Sequence, residues 1–158
     1  ARRVDAVEID PVIVRLGRQF HPEGPYRDPR VTVVNDDARH YLRTAEKKYD
    51  LIVFALIDSL TLQSSFSAVR LESFMFTEEA FRAARERLKP NGVLVVYNYF
   101  REKWLVDRLA NSARNVFGEE PKVHIHKEHG YLGVMLAGPG THTVAQWPTP
   151  PEKVAAYN

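Results

Sequence analysis

Residues 4–11 read Val-Asp-Ala-Val-Glu-Ile-Asp-Pro. An apolar strand over Val4 to Ile9 carries Glu8 and runs straight into a helix start. Asp10 can accept the first free backbone N–H groups, and Pro11 is preorganised for a first helical turn. Val12, Leu16 and Phe20 follow at four-residue spacing, which predicts an apolar helix face. A strand feeding a helix in so few residues is the building unit of an α/β sheet.

Working outward, the same alternation continues. His21 to Arg30 is rich in Pro, Gly and Asp and is read as a loop. Val31 to Val34 is a β-branched strand closing on Asn35-Asp36-Asp37. Ala38 to Glu46 is a short helix with Tyr41 and Leu42 as its apolar contacts. Tyr49 to Ile57 is the most hydrophobic stretch, and its continuity predicts a central parallel strand covered on both faces. Asp58 to Phe76 is a polar and aromatic connection without periodicity. Thr77 caps a helix with Glu78 and Glu79 in its first turn, where the dipole favours negative charge. Its inner face is Phe81, Ala84 and Leu88, and Pro90-Asn91-Gly92 stops it. Val93 to Tyr97 is a further strand, and Arg101 to Phe117 an amphipathic helix with Trp104, Leu105, Leu109 and Val116 inward. Lys122 to His126 and Leu132 to Leu136 form a hairpin around His129-Gly130. The pattern specifies an α/β, Rossmann-like, doubly wound and mostly parallel sheet with a C-terminal antiparallel hairpin. Residues 1–140 make one domain, and 141–158 an irregular Pro-containing tail.

Composition sets the outer limits. At 158 residues, 44% hydrophobic and 27% charged, the chain is an ordinary globular domain. Its 22 basic and 20 acidic residues leave a net charge of +2. The charges are interspersed, so no nucleic-acid partner is expected. The absence of cysteine excludes disulfides, thiolate catalysis and Cys-ligated zinc. His124 and His126 share a strand face near His129, but only Glu128 stands at ligand spacing, and no metal is expected. The longest apolar run, Leu51 to Ile57, is too short to span a bilayer. No signal peptide is visible over Ala1 to Asp10, and the site is read as cytoplasmic. Because the chain opens almost inside a strand, it is read as a piece of a longer protein. That parent can carry membrane segments, with this domain at their cytoplasmic face.

In doubly wound sheets ligands bind beyond the carboxyl ends of the strands. Here those ends carry Glu8 and Asp10, then Asp36 and Asp37, then Asp58, then Asn98. A carboxylate can accept hydrogen bonds from both ribose hydroxyls, and another from the exocyclic amine of adenine. Asp10 and Asp36 are equally accounted for as caps or turn residues. Glu8 caps nothing obvious within its strand.

These pieces resemble the polyamine aminopropyltransferases, the spermidine and spermine synthases. The likeness runs through residues 4–11, then Asp-Pro-Arg-Val-Thr-Val-Val-Asn-Asp-Asp-Ala-Arg (28–39), Lys-Tyr-Asp-Leu-Ile-Val (48–53) and Leu-Lys-Pro-Asn-Gly-Val-Leu-Val (88–95). It covers about residues 4 to 100, and single pieces are shared with class I methyltransferases. The resemblance implies S-adenosylmethionine or its decarboxylated form as cosubstrate, with no metal, and a small-molecule amine or other acceptor. It implies that Glu8 holds the ribose hydroxyls and that Asp37 with Ala38 meets the adenine edge, Asp10 and Asp36 standing beside them.

Two departures qualify it. The catalytic segment of the family, Asp-x-x-Asp-Pro, reads Ala55-Leu56-Ile57-Asp58-Ser59 here. Asp58 matches the second acid, while Ala55 replaces the first, which binds and deprotonates the attacking amine. Losing a general base costs about 10²–10⁴ in rate. Orthodox polyamine transfer is therefore not expected unless Asp58 takes over. The loop that follows resembles that of bacterial spermidine synthase-like domains fused to membrane segments. The family's first strand and its Gly-rich turn have no counterpart in the sequence either. This predicts a gap in the middle of the sheet, weak cosubstrate binding by the chain as given, and association into a homodimer that shields the exposed edges. The alternatives are a methyltransferase of unknown acceptor and a noncatalytic ligand-binding domain of a larger protein.

Overall fold

The computed structural model describes residues 1–57, 71–100, 103–126 and 132–144. Strand β1 (Val4–Glu8) leads into helix α1 (Pro11–Phe20), then β2 (Val31–Asn35), α2 (Ala38–Thr44) and β3 (Tyr49–Ala55). A 3₁₀ helix at Leu71–Phe76 precedes α3 (Glu78–Arg87), β4 (Leu88–Tyr99), α4 (Lys103–Phe117), β5 (Lys122–His126) and β6 (Leu132–Ala137). The caps expected at Asp10 and Thr77 are in place, accepting from the Val12 and Ala80 N–H groups. The cap of α2 is Asp37, which accepts from Arg39 and His40, and not Asp36.

The strands form two sheets. In one, β1 pairs with β2 in parallel, Glu8 opposite Asn35. In the other the order is β3-β4-β6-β5, with β3 parallel to β4 and the last three strands antiparallel. The fold is thus the expected Rossmann-like one with a C-terminal hairpin, and the gap falls between β1 and β3. Ladder alternation shows which backbone groups border it. Val4 and Glu8 bond toward β2, so the N–H and C=O of Asp5 and Val7 point to the opposite edge. Leu56 bonds to Tyr97, so the backbone groups of Leu51, Val53 and Ala55 point away from β4.

The core lies on one side of the larger sheet. Phe81, Ala84, Leu94, Val96 and Ala113 are fully enclosed, with Ile52, Phe54, Leu109, Val116 and Met135 around them. Gly133 lies where no side chain fits, because an added Cβ would stand 2.5 Å from the Phe100 ring and 2.9 Å from Ile125.

Four sequence expectations are corrected. First, among the described residues β3 is covered on one face only: Ile52 and Phe54 are buried, but Leu51 and Val53 are 54% and 45% exposed. Second, α1 buries Val14 and turns Val12, Leu16 and Phe20 outward, because no described element packs over that stripe. Third, Trp104 is exposed, and α4 is anchored by Leu109, Ala113 and Val116. Fourth, β4 extends back through Pro90-Asn91-Gly92. Tyr49 pairs with Leu88 and Leu51 with Val93, so the intervening residues bulge out rather than end the ladder. The turn of the hairpin, with Glu128, His129 and Gly130, lies outside the described residues.

Side chains join the two sheets where no backbone ladder does. Leu42 of α2 is buried in the core of the larger sheet, and Arg87 donates to the Leu42 and Arg43 carbonyls at the end of α2. At the strand level, the Asp5 carboxylate of β1 accepts from the hydroxyls of Tyr49 on β3 (2.8 Å) and Tyr41 on α2 (3.0 Å) and from Lys47 (3.0 Å). The two phenol oxygens lie 2.9 Å apart, so either hydroxyl can turn to the other in place of the carboxylate. The Asp5 side chain is 9% exposed. Burial pushes its pKa up, but the bonds from Lys47, Tyr49 and Tyr41 outweigh it and hold the group below its ordinary value. Burial, then the bonds with Tyr41 and Asp5, hold the Tyr49 phenol well above its usual range.

Phe81→Ala should cost about 3–5 kcal/mol, because the ring lies in a fully enclosed site and packs 6.4 Å from Phe54. Equilibrium denaturation measures this, and a loss below about 1 kcal/mol would contradict the packing. The titrations give a second test. Stability from a raised group is full below its unfolded pKa and disappears as pH rises through the folded one; for a lowered acid it disappears as pH falls. The Asp5–Tyr49 bond should therefore contribute between about pH 4 and 10, weakening beyond either end. Tyr49→Phe should cost about 1–3 kcal/mol at neutral pH and flatten the decline above pH 10. Parallel stability–pH curves for the two proteins would refute this.

Candidate functional site

The tips of β1 and β2 bring the acidic positions together. Glu8 ends β1 opposite Asn35, and Asp36 donates its N–H to the Glu8 carbonyl at 3.2 Å. The Asn35 side chain donates to the carbonyls of Glu8 and Ile9, closing the corner where the two strands leave the sheet. Asp36, Asp37 and Ala38 follow directly, so Glu8 and Asp37 stand on neighbouring tips of one two-stranded sheet.

Each carboxylate there has a local duty. Asp10, exposed, spends Oδ1 on the Val12 N–H at 2.7 Å. Asp36 accepts from the Asp37 N–H and meets His40 Nδ1 at 2.7 Å; that ring, ahead of the opposing effect of burial, holds its carboxyl below its ordinary value. Glu8 is half-buried and accepts the Asp10 N–H on Oε1 at 2.9 Å. Asp37, also half-buried, accepts the Arg39 and His40 N–H groups on Oδ1 at 2.8 and 3.0 Å. Asp10 and Asp36 are thereby occupied as cap and turn. In Glu8 and Asp37 the bonds fix one oxygen, and Oε2 and Oδ2 have no hydrogen-bond partner among the described residues. Such an acid is oriented by its own loop and can still accept two bonds. Ala38 packs against the core and adds no bulk beside Asp37.

The second sheet supplies the other side. Ala55 ends β3, and Leu56 adopts φ 43°, the only non-glycine residue with positive φ among the described ones. The left-handed region costs such a residue about 1–2 kcal/mol, and strain of this kind gathers at functional turns. Leucine gives no sequence hint of it. Asp58 lies outside the described residues. Asn98 on β4 is buried and accepts the Tyr99 N–H. Phe74 stands 40% exposed with the Arg39 guanidinium 5.5 Å above its ring, in the first turn of α2 beside Asp37. Sequence reading passed over that pair because its partners are 35 positions apart in the sequence.

The quoted Asp-Pro-Arg-Val piece has a structural task. Asp28 accepts a bidentate pair from Arg30 and the Arg30 N–H, which together hold its carboxyl down at about 2 and clip the loop entering β2. A groove of about 470 Å³ lined by Val14, Arg15, Arg18, Gln19 and Asn35 runs beside α1, and neither Glu8 nor Asp37 lines it. Among the described residues no three metal-ligating side chains converge, and no helix is long and apolar enough to cross a membrane.

Comparison with known proteins adds to this geometry. Residues 1–126 match the family model of the spermine/spermidine synthase domain. Polyamine aminopropyltransferase 1 of Streptomyces coelicolor is 32% identical over 150 residues, which cover 89% of this chain and 26% of that protein. Polyamine aminopropyltransferase of Vibrio vulnificus is 31% identical over 127 residues, covering 80% and 40%. The chain thus spans well under half the length of these curated relatives. Among solved structures, a spermidine synthase in complex with the transition-state analogue AdoDATO superposes with a TM-score of 0.68 at 19% identity, covering 89% of this chain and 47% of that one. Human methyltransferase-like protein 13 in complex with SAH gives 0.66 at 21%, covering 98% and 64%. These two likenesses show the fold. With a family model matched over residues 1–126, the chain belongs to the spermine/spermidine synthase family.

Proposed function

We propose that the corner formed by the β1 and β2 tips holds the nucleoside of S-adenosylmethionine or its decarboxylated form, as part of a spermidine synthase-like transferase. Glu8 accepts the ribose hydroxyls, and Asp37 with Ala38 meets the adenine edge. Asp10 and Asp36 keep the two turns in shape around them. One observation carries this reading: two half-buried carboxylates on adjacent tips, each fixed through one oxygen with the other left to accept. Related folds bound to AdoDATO and to SAH support an S-adenosyl ligand.

The reaction side differs from the usual pattern. Transfer to an amine requires that the attacking nitrogen lose a proton, and Ala55 offers neither an acceptor nor a counter-charge. Asp58, three residues on, is the remaining acid for that role. The acceptor is accordingly a small amine or another small molecule whose deprotonation Asp58 can serve. Ala55 equally favours a second reading, in which the protein binds the nucleoside without turning it over.

Calorimetric titration of the full-length protein with S-adenosylmethionine and with its decarboxylated form tests the grip. Glu8→Gln and Asp37→Asn should each weaken binding about 10- to 100-fold, the worth of a charged hydrogen bond. Unchanged affinity in both variants would remove the assignment. Ala55→Asp tests the chemistry. Gained aminopropyl transfer to putrescine or spermidine would mark a transferase that has lost its base, and binding with no gain would favour the noncatalytic reading.

A further inference from the structure

Arg39 is half-buried in the first turn of α2, yet its guanidinium has no ion pair or hydrogen bond among the described residues. It lies instead over the Phe74 ring, 5.5 Å from the centroid. A half-buried guanidinium ordinarily spends its donors on oxygens, as Arg87 does on the Leu42 and Arg43 carbonyls. A planar cation resting on one aromatic ring keeps its second flat face for another π system.

Both members of the pair are held in place by their own elements. The Arg39 N–H donates to Asp37 Oδ1 at 2.8 Å, so the turn that aims Asp37 also carries Arg39. Ala38, between them, packs against the core. On the other side Phe74 precedes Met75, which is buried in that core. The Phe74 carbonyl accepts from the Thr77 hydroxyl, the same group that caps α3. A pair ordered in this way loses little freedom when a flat ligand settles on it.

We propose that Arg39, held flat on Phe74, is the stacking platform for the nucleobase whose edge Asp37 meets, so that purine, guanidinium and phenyl ring form one stack. This rests on the nucleoside reading above and adds to it the contact on the face of the base. The two contacts divide the work. Asp37 reads the exocyclic amine through a bond with direction. Arg39 and Phe74 supply affinity for any flat base, because every base presents a π face. A delocalised, weakly hydrated guanidinium suits that task, whereas an ammonium is a compact and strongly hydrated point charge.

Saturation-transfer NMR titration of the full-length protein isolates the face contact. The probes are methylthioadenosine, the part common to both forms of the cosubstrate, and methylthioribose, which lacks the base. Arg39→Ala and Phe74→Leu should each weaken methylthioadenosine about 5- to 100-fold, the worth of stacking one base, and leave methylthioribose unchanged. Arg39→Lys should resemble Arg39→Ala, since it keeps the charge and loses the plane. The double variant should lose scarcely more than Arg39→Ala alone, because the two residues serve one stack. Without ligand, both single variants should unfold within a few degrees of wild type. An equal loss for both probes would show that the pair only keeps the corner folded, and overturns the platform. Unchanged methylthioadenosine binding in both variants, with a loss in Asp37→Asn, also overturns it and leaves the nucleoside reading standing. If the wild type binds methylthioadenosine no more tightly than methylthioribose, no base is held, and the nucleoside reading falls together with the platform.

Discussion

The hydrogen bonds that the Asp5 carboxylate accepts tie β1 to β3 and α2 among the described residues. A parallel sheet normally fixes its strands by a continuous ladder, and among the described residues none runs between β1 and β3. Beyond that break, position must be set by side chains, which are longer and have more freedom. An enclosed carboxylate is an expensive link, because burial alone drives it toward the neutral form. It persists ionised only when donors surround it, and two phenols and an ammonium do so here. Removing one donor leaves a charge that water reaches poorly, which is why such a link gives way sharply instead of loosening by degrees.

The exposed faces have a different origin, the lack of a packed element over them among the described residues. Leu51 and Val53 show that one face of β3 has no cover among the described residues, and Val12, Leu16 and Phe20 show the same for α1. Sequence periodicity records which side of an element is apolar, not whether a neighbour is there to meet it. The stripe on α1 was therefore legible as a stripe and misleading as a burial pattern. Trp104 failed for a related reason: a large aromatic at helical spacing is ordinarily core, yet Ala113, a residue with almost no sequence signal, is the one fully enclosed on α4.

What the sequence did disclose depended on short-range chemistry. Asp10 before Pro11 and Thr77 before Glu78 are caps whose partners lie within three residues, and both are seen, while the cap of α2 falls to Asp37 and not to its neighbour Asp36. The adjacency of Glu8 and Asp37 was readable because parallel pairing of two neighbouring strands aligns their carboxyl ends. The Asp5 cluster was not readable, since it joins positions up to 44 apart, and nothing about a lone Asp inside an apolar strand names its partner. Leu56 was hidden for a different reason: a left-handed backbone runs against the preference of leucine, so the residue type gives no sign of it.

The distribution of departures from the family pattern also has a physical reading. Binding a nucleoside and deprotonating an acceptor place different demands on a fold. The first needs carboxylates fixed by their own loops, and β1–β2 provides that within five paired positions and two caps. The second needs an acid of adjusted basicity at the end of another strand, and there the chain has Ala55 followed by a strained leucine. Ala55 is exposed at the end of β3, so an alanine there disturbs no packing and leaves the β1–β2 corner intact. A domain can therefore lose its usual base without losing its grip, provided the two sheets stay in register. The same alanine is compatible with a changed acceptor or with binding alone, because both readings keep the nucleoside corner and differ only in what the tip of β3 must do.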